Sequence, residues 1–177
     1  MCIRDSDKHV FMEKPVATDA HGVRQVLETA KVANQKKLNV VVGLQRRYQY
    51  SYLNILKQVR RGVIGKITSG QVRWNGAGVW VRGRKPNQTE MEYQMRNWYY
   101  FNWLCGDHIV EQHIHNIDVA NWFLNEYPIS AQGMGGREVE KVLIMVKYLI
   151  TILLNLSMLV EQQFQANADI SLEHIDK

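Results

Sequence analysis

The chain has 177 residues, of which 46% are hydrophobic and 22% charged, and its formal net charge is +5 at pH 7. This composition excludes a disordered or collagen-like chain, and the length suffices for one domain with a hydrophobic core or for parts of two. The two cysteines are too few for a disulfide framework, and the modest net charge does not indicate a nucleic acid partner.

The first six residues, MCIRDS, contain no apolar segment of the kind found in signal peptides. They resemble the spurious starts of reading frames assembled from metagenomic DNA, so we leave residues 1–6 out of the fold prediction. Because the true start would then lie upstream, the compartment is left open between cytoplasm and periplasm.

A strand–helix–strand unit follows. His9–Met12 is a short apolar run that ends before Pro15, which cannot continue a strand. Thr18 is the expected N-cap of a helix that runs to about Lys37 with one apolar face. Residues 38–43 are a β-branched run ended by glycine, and this pattern predicts a buried parallel strand.

Helices and strands also alternate in the next part of the chain. Helical spacing predicts a helix over about 52–61, and a strand over 67–74 is expected to follow Gly65. Residues 75–104 lack a clear period and are expected to form a long loop with at most a helical turn. A strongly periodic helix over 108–125 and a strand over 129–135 complete an order that favours an α/β fold.

The apolar segment 142–160 is open to three interpretations. Fifteen of its nineteen residues are apolar, which is long enough for a transmembrane helix, but Lys147 weakens that interpretation. A buried helix is the second. The third, which we favour, is that residues 141–177 are out of frame, because a shifted reading frame after Glu140 can encode alternating apolar and polar residues around a Gly-Gly turn. We therefore expect no membrane association.

One helix carries the sharpest candidate site. Glu111, His115 and Asp118 are spaced i, i+4 and i+7, which places them on one helix face. A carboxylate one turn from a histidine can fix its tautomer and raise its basicity, as in a general acid–base pair. The alternatives are a solvated polar face and, less favoured, a metal site, for which a single helix offers too few ligands.

Two further groups of polar residues follow predicted strand ends. Lys14 follows the first strand, and Gln45, Arg46 and Arg47 follow the second. Ligands of open parallel sheets bind outside the carboxyl ends of strands, so a shared site is expected, with Lys14 as a possible proton donor. The alternatives are an ordinary strand-end lysine and a solvated helix start. Trp80, next to a basic loop, is a candidate contact for an anionic or sugar-like ligand.

Three segments in this order, HVFMEKPVA, NVVVGLQRRY and GDHIVEQHIHNIDVANWFL, resemble the Gfo/Idh/MocA family of nicotinamide-dependent oxidoreductases over about residues 8–139. The resemblance implies the C-terminal part of a Rossmann-type domain at 7–47. It implies an incomplete α+β domain for substrate binding and oligomerisation at 48–140, with an open, mainly antiparallel sheet. It also implies NAD or NADP as cofactor, a small carbohydrate-like substrate, and a homo-oligomer for the complete protein.

The resemblance assigns roles to the candidate residues. Lys14 would be catalytic and close to the nicotinamide, and the family's Asp-x3-His pair corresponds to Glu111 and His115, with glutamate in place of aspartate. The other residues divide between cofactor and substrate contacts: Glu13, Pro15, Gln45 and Arg46 are assigned to the cofactor, and Arg47, Asp118 and Trp80 to the substrate.

The implied reaction is hydride transfer between a sugar or polyol carbon and nicotinamide, with His115 exchanging the hydroxyl proton. Some relatives use NAD for elimination or glycoside cleavage without net oxidation, and this activity is one alternative. A truncated binding or remnant fragment is the other. Since the family's phosphate-binding glycines are missing from this sequence, we expect the 177-residue chain itself to be inactive and poorly stable.

Overall fold

The computed structural model describes residues 7–74, 79–136, 151–160 and 164–170. Within them, a two-stranded parallel sheet and a three-stranded antiparallel sheet are separated by helices, so the predicted mixed α/β class is confirmed. The predicted spurious start and much of the predicted out-of-frame tail lie outside the described residues.

The predicted strand–helix–strand unit is confirmed. Strands β1 (Val10–Met12) and β2 (Val40–Val42) pair in parallel and are connected by helix α1 (Ala20–Gln35). The N-cap is Asp19 and not the predicted Thr18. Asp19 has the extended backbone of a cap residue, and its carboxylate accepts a hydrogen bond of 2.6 Å from the Gly22 amide.

The prediction that β2 is buried is wrong for the part of the chain that the structure describes. Val40 and Val41 are exposed, as are Phe11 on β1 (68%) and Leu27 on α1 (58%). Residues of β1, α1 and β2 line an apolar groove of about 450 Å³. A parallel sheet normally needs a covering layer on both faces, and the described residues leave this one open.

A 3₁₀-helix at Gln45–Tyr48 follows β2 and leads into helix α2 (Tyr50–Arg60), which confirms the predicted second helix. The predicted strand over 67–74 is wrong, because this segment contains only a single bridge residue, Gly70. A strand needs a neighbour along its length to form a hydrogen-bonded ladder, and the described part of this segment shows only the one bridge.

The prediction of a loop at 75–104 is wrong from Glu90 onward, and residues 75–78 lie outside the described residues. Helix α3 (Glu90–Arg96), a 3₁₀-helix (Trp98–Tyr100) and helix α4 (Asn102–Cys105) occupy this region. Thr89 begins α3 with a capping box. Its hydroxyl accepts from the Glu92 amide, and the Glu92 carboxylate accepts from the Thr89 amide.

The hydrophobic core lies in this helical region. Tyr99, Tyr100 and Phe101 are buried together, and the Tyr100 hydroxyl donates a 2.7 Å hydrogen bond to the Val79 carbonyl. Asn97 is fully buried beside them, and its side-chain amide forms hydrogen bonds to both the amide and the carbonyl of Arg82. These bonds attach the preceding extended segment to the core.

The predicted helix over 108–125 is present but begins irregularly. A π-helical turn at Ile109–His113 leads directly into helix α5 (Ile114–Leu124). Before it, Gly106 adopts a left-handed conformation, and a β-carbon there would lie 3.2 Å from the Thr18 Cα. Gly106 therefore permits the close approach between this helix and the first unit.

Strands β3 (Ser130–Gly136), β4 (Thr151–Val160) and β5 (Phe164–Ile170) form the antiparallel sheet in that order. The predicted strand over 129–135 is thereby confirmed, whereas both helical interpretations of the apolar tail are wrong for Thr151–Val160. Among the helices of the described residues, none has the length and apolar character needed to cross a bilayer.

Candidate functional site

Lys14 connects the end of β1 to the π-helical turn. Its ammonium donates hydrogen bonds to both the main-chain carbonyl and the carboxylate Oε1 of Glu111. Glu111 is only 4% exposed, and the Lys14 side chain is largely buried as well. A buried carboxylate needs a cationic partner, and the residue that precedes Pro15 at the strand end supplies it.

The two arginines that follow β2 reach the same helix one and two turns further along. Arg47 forms a two-pronged ion pair with Asp118, in which Nε lies 2.8 Å from Oδ2 and Nη2 lies 2.7 Å from Oδ1. This hydrogen-bonded pairing raises the pKa of Arg47. Arg46 donates a hydrogen bond to the side-chain oxygen of the buried Asn116. The ends of both parallel strands therefore face the helix that carries His115.

His115 lies between these contacts and is 6% exposed. Its ring stacks on the Trp74 indole, with 6.0 Å between the ring centroids and 30° between the planes. Burial, followed by the positive charges of Lys14 and Arg46, lowers the pKa of His115 despite the opposing effects of Glu111 and Asp118. The imidazole is consequently neutral at pH 7 and able to accept a proton.

The sequence pattern predicts a Glu111–His115 pair, but the described contacts differ. The Glu111 carboxylate binds Lys14 through Oε1, while Glu111 Oε2 and His115 Nδ1 are both buried without a hydrogen-bond partner among the described residues. Unsatisfied buried polar atoms are costly and are found where a ligand or water supplies the missing bond. The site thus contains an ammonium–carboxylate pair beside a neutral imidazole.

The remaining predicted cofactor residues lie at the ends of β1 and β2. The Glu13 carboxylate packs over Gly43, where a β-carbon would lie 2.3 Å from Glu13 Oε2. Glycine at the end of β2 therefore makes room for Glu13. Pro15 is half-buried next to Lys14, and Gln45 is exposed at the start of its 3₁₀-helix.

Trp80 belongs to a different cluster. Its indole packs against Trp98 and Tyr99, and its Nε1 lies 3.5 Å from the Arg96 carbonyl. None of its described contacts involves Lys14 or His115, so its assignment to the substrate stays a prediction.

Two residues of the site, Trp74 and Asn116, are not predicted from the sequence pattern. Asn116 bridges the two halves of the site, because it accepts from Arg46 and donates to the Arg73 carbonyl. Its position directly after His115 is the one local feature of the sequence that could have indicated a place in the site. Trp74 has no comparable local feature, since its place depends on the path of the irregular segment before it.

Another histidine is buried on the same helical stretch. His113 is 2% exposed, its Nε2 has no hydrogen-bond partner among the described residues, and its ring lies 6.1 Å from that of His108. Burial lowers the pKa of His113 to about 4. No group of three or more metal-ligating side chains occurs in the described part of the chain.

No protein-family model matches the chain. An inositol 2-dehydrogenase of Salmonella typhimurium is 35% identical to it over 123 residues, which are 69% of this chain and 30% of that protein. An inositol 2-dehydrogenase of Rhizobium meliloti is 26% identical over 136 residues, or 77% of this chain and 35% of that protein. The chain spans about a third of the length of these curated relatives.

The fold is also similar to solved structures. A scyllo-inositol dehydrogenase from Lactobacillus casei, crystallised with NAD(H) and scyllo-inositol, superposes with a TM-score of 0.60 at 23% sequence identity. The match covers 92% of this chain and 42% of that one. At this level of identity the likeness is one of fold, and it confirms the predicted Rossmann-type architecture.

Proposed function

The chain belongs to the Gfo/Idh/MocA family of oxidoreductases, and we propose that it carries the proton-transfer groups of an NAD(P)-dependent dehydrogenase acting on a polyol or sugar. The observation that carries this proposal is the convergence of Lys14, Glu111 and neutral His115 at the carboxyl ends of two parallel strands. Open parallel sheets bind their ligands at this edge.

The residues present fit the nicotinamide end of such a cofactor. Two buried polar atoms, Glu111 Oε2 and His115 Nδ1, have no hydrogen-bond partner within the described residues, and a carboxamide or a substrate hydroxyl could supply one. Glu13, Lys14, Pro15, Gln45 and Arg46 would hold the cofactor. When bound, the nicotinamide supplies hydride-accepting chemistry.

Proton movement is the task of this chain's own residues. The neutral His115 imidazole is suited to take the hydroxyl proton from a substrate carbon that loses hydride. Lys14 has three N–H donors, two of which are directed at Glu111, so the third can polarise the same substrate oxygen. The carboxylate of Glu111 fixes the ammonium in this position.

The proposed substrate class is supported by the names of the relatives and by the chemistry of the site. The matched relatives are named inositol 2-dehydrogenases, and a fixed imidazole beside an ammonium suits a neutral secondary alcohol. We assign Arg47 and Asp118, which bind each other tightly, and Trp80 to the substrate side. We further propose that residues 7–47 and 48–140 belong to two domains and that the complete protein is a homo-oligomer.

The test is a turnover assay on two proteins, the 177-residue chain and the longest reading frame at its source locus that contains residues 7–136. Each is incubated with NAD⁺ or NADP⁺ and a panel of inositols, aldoses and linear polyols. We expect the longer protein to accumulate reduced nicotinamide in proportion to a ketone product, and the shorter one to remain inactive. If the longer protein cleaves glycosides or eliminates without accumulating reduced nicotinamide, it has the alternative activity, in which NAD is used without net oxidation of the substrate. Absence of any turnover in both would refute the proposal.

A further inference from the structure

We propose that Trp74 is the positioning residue for His115, and that the indole–imidazole stack, in place of a hydrogen bond, fixes the plane of the proton-transferring ring. The inference rests on the proposed function for its catalytic meaning. The contacts that support it are independent of cofactor and substrate.

The first step is the missing hydrogen bond on His115. A reactive histidine is usually oriented by an acceptor at its second ring nitrogen, which also fixes the tautomer. Here Nδ1 is buried without such a partner among the described residues. The carboxylate one turn earlier, Glu111, is directed at Lys14. Within the described structure, stacking on Trp74 is the contact left to hold the ring.

The second step is that Trp74 itself is firmly held. Asn116, which is buried, donates a hydrogen bond to the carbonyl of Arg73, the residue immediately before Trp74. The same Asn116 amide accepts from Arg46, whose guanidinium lies 5.5 Å from the centre of the Trp74 ring. One side chain on the His115 helix therefore anchors both the backbone beside the indole and the cation over it.

The third step concerns the charges around the ring. Lys14 and Arg46 disfavour an imidazolium at His115, whereas Glu111 and Asp118 favour it. A cation over an aromatic face is attracted to that face, so the indole keeps the Arg46 guanidinium at a set distance from the neighbouring imidazole. Trp74 thus controls both the orientation of His115 and the position of the neighbouring Arg46 cation.

The test uses nuclear magnetic resonance of ¹⁵N-labelled histidines in the 177-residue chain, without cofactor or substrate. The pKa values of His115 and His113 are followed together, with signals assigned by His115→Gln and His113→Gln. Trp74→Leu removes the stack, Trp74→Phe keeps a ring, and Trp80→Leu is the matched control in the separate aromatic cluster. His113 reports whether the helix as a whole has loosened, because its pKa of about 4 depends on burial.

We expect Trp74→Leu to raise the pKa of His115 toward its ordinary value, because the ring loses the cover that disfavours its charged form, and to average its two ring-nitrogen signals, while His113 is unchanged. Trp74→Phe should stay close to the wild type, and Trp80→Leu should change neither histidine. The proposal is overturned if Trp74→Leu leaves His115 unchanged, if His113 shifts with it, if Trp74→Phe fails to restore it, or if His113 titrates normally in the unaltered chain. Since no turnover is measured, failure here is distinguishable from failure of the dehydrogenase proposal.

Discussion

The strand–helix–strand unit of residues 10–42 and the helical region of residues 90–124 differ most in how their apolar side chains are covered. In the first unit, large apolar residues on β1, α1 and β2 face an open groove. In the second, Tyr99, Tyr100 and Phe101 are almost completely buried. Yet the candidate site needs both, since Lys14 lies in the open unit, the two arginines follow its second strand directly, and the partners of all three lie on the buried helix.

The difference indicates that one region provides most of the stability and that the other provides charged side chains of the candidate site. Burial of apolar area is the main favourable term in folding, so the helical region should hold most of the stability of the described chain. The open unit contributes charged side chains at its strand ends and is held to the helix chiefly by polar contacts. A site assembled in this way has a rigid half, on the helix, and a half that depends on those polar contacts.

Removal of Lys14 tests the junction between the two regions and should have the largest effect. In the complete protein, Lys14→Met is expected to lower kcat/KM about 10³- to 10⁴-fold, because the ammonium that binds Glu111 and polarises the substrate oxygen is lost. The measurement is turnover by absorbance of reduced nicotinamide. Lys31→Met, at an exposed lysine of α1, is the control and should be neutral. Because Lys14→Met leaves Glu111 buried and unpaired, the double variant Lys14→Met/Glu111→Gln checks that lost activity is not lost folding.

A pair of apolar truncations tests the comparison directly. Phe101→Ala should lower the free energy of unfolding by about 3–5 kcal/mol, because a buried aromatic side chain is lost from the core. Leu27→Ala, on the open face of α1, should change it by less than about 0.5 kcal/mol. Urea unfolding of both variants gives the two values. Equal losses would mean that the open groove is covered in solution.

The buried His113 makes the helical region sensitive to acid. Its folded pKa of about 4 lies below the ordinary 6.5, so the unfolded state binds more protons between these values and stability is lost as the pH falls through that window. The loss should reach about 2–3 kcal/mol near about pH 4.5. His113→Phe should remove this loss, so that the free energy of unfolding, measured by urea denaturation, depends less on pH. An unchanged slope in the variant would assign the acid sensitivity to other groups.

The Arg47–Asp118 ion pair tests how much a polar contact between the two regions contributes to stability. Its expected effect on the free energy of unfolding is smaller than those above. Asp118→Asn should cost about 1–2 kcal/mol in the free energy of unfolding, since a partly buried two-pronged pair is broken. Glu28→Gln breaks an exposed pair with Lys31 inside α1 and should cost about 0.3 kcal/mol or less. Chemical denaturation compares the two variants. If Glu28→Gln lowers the free energy of unfolding as much as Asp118→Asn does, the ion pair between the regions contributes no more to stability than an exposed pair within one helix.

Much of this arrangement was predictable from local pattern. The first unit and the helix that carries His115 follow from apolar periodicity, and the placement of Lys14 and Arg47 at the same edge of the parallel sheet follows from the rule for strand ends. Helix α3 also had a local signal in the Thr89-x-x-Glu92 capping box, which the prediction of a loop overlooked.

Other features depend on contacts between distant segments. The partner of Glu111 is Lys14, 97 residues away, and not the nearby His115, because a buried carboxylate pairs with whichever cation the tertiary fold brings to it. The Trp74–His115 stack depends on the path of a segment without regular structure. The exposure of β2 was not predictable either, since a β-branched run indicates what a strand can bury and not what is available to cover it.

The π-helical turn at Ile109–His113 links the length of this helix to the pairing of Lys14. A π turn holds one residue more than an α-helical turn, so deletion of one residue there would restore a regular helix. The segments before and after the turn would keep their relative orientation, because the π turn accommodates its extra residue within a single turn. His115 and Asp118 would keep their places, and the change would be confined to the turn that carries Glu111. A deletion at this turn is therefore a route by which relatives could change the residue that faces Lys14 while the rest of the site is retained.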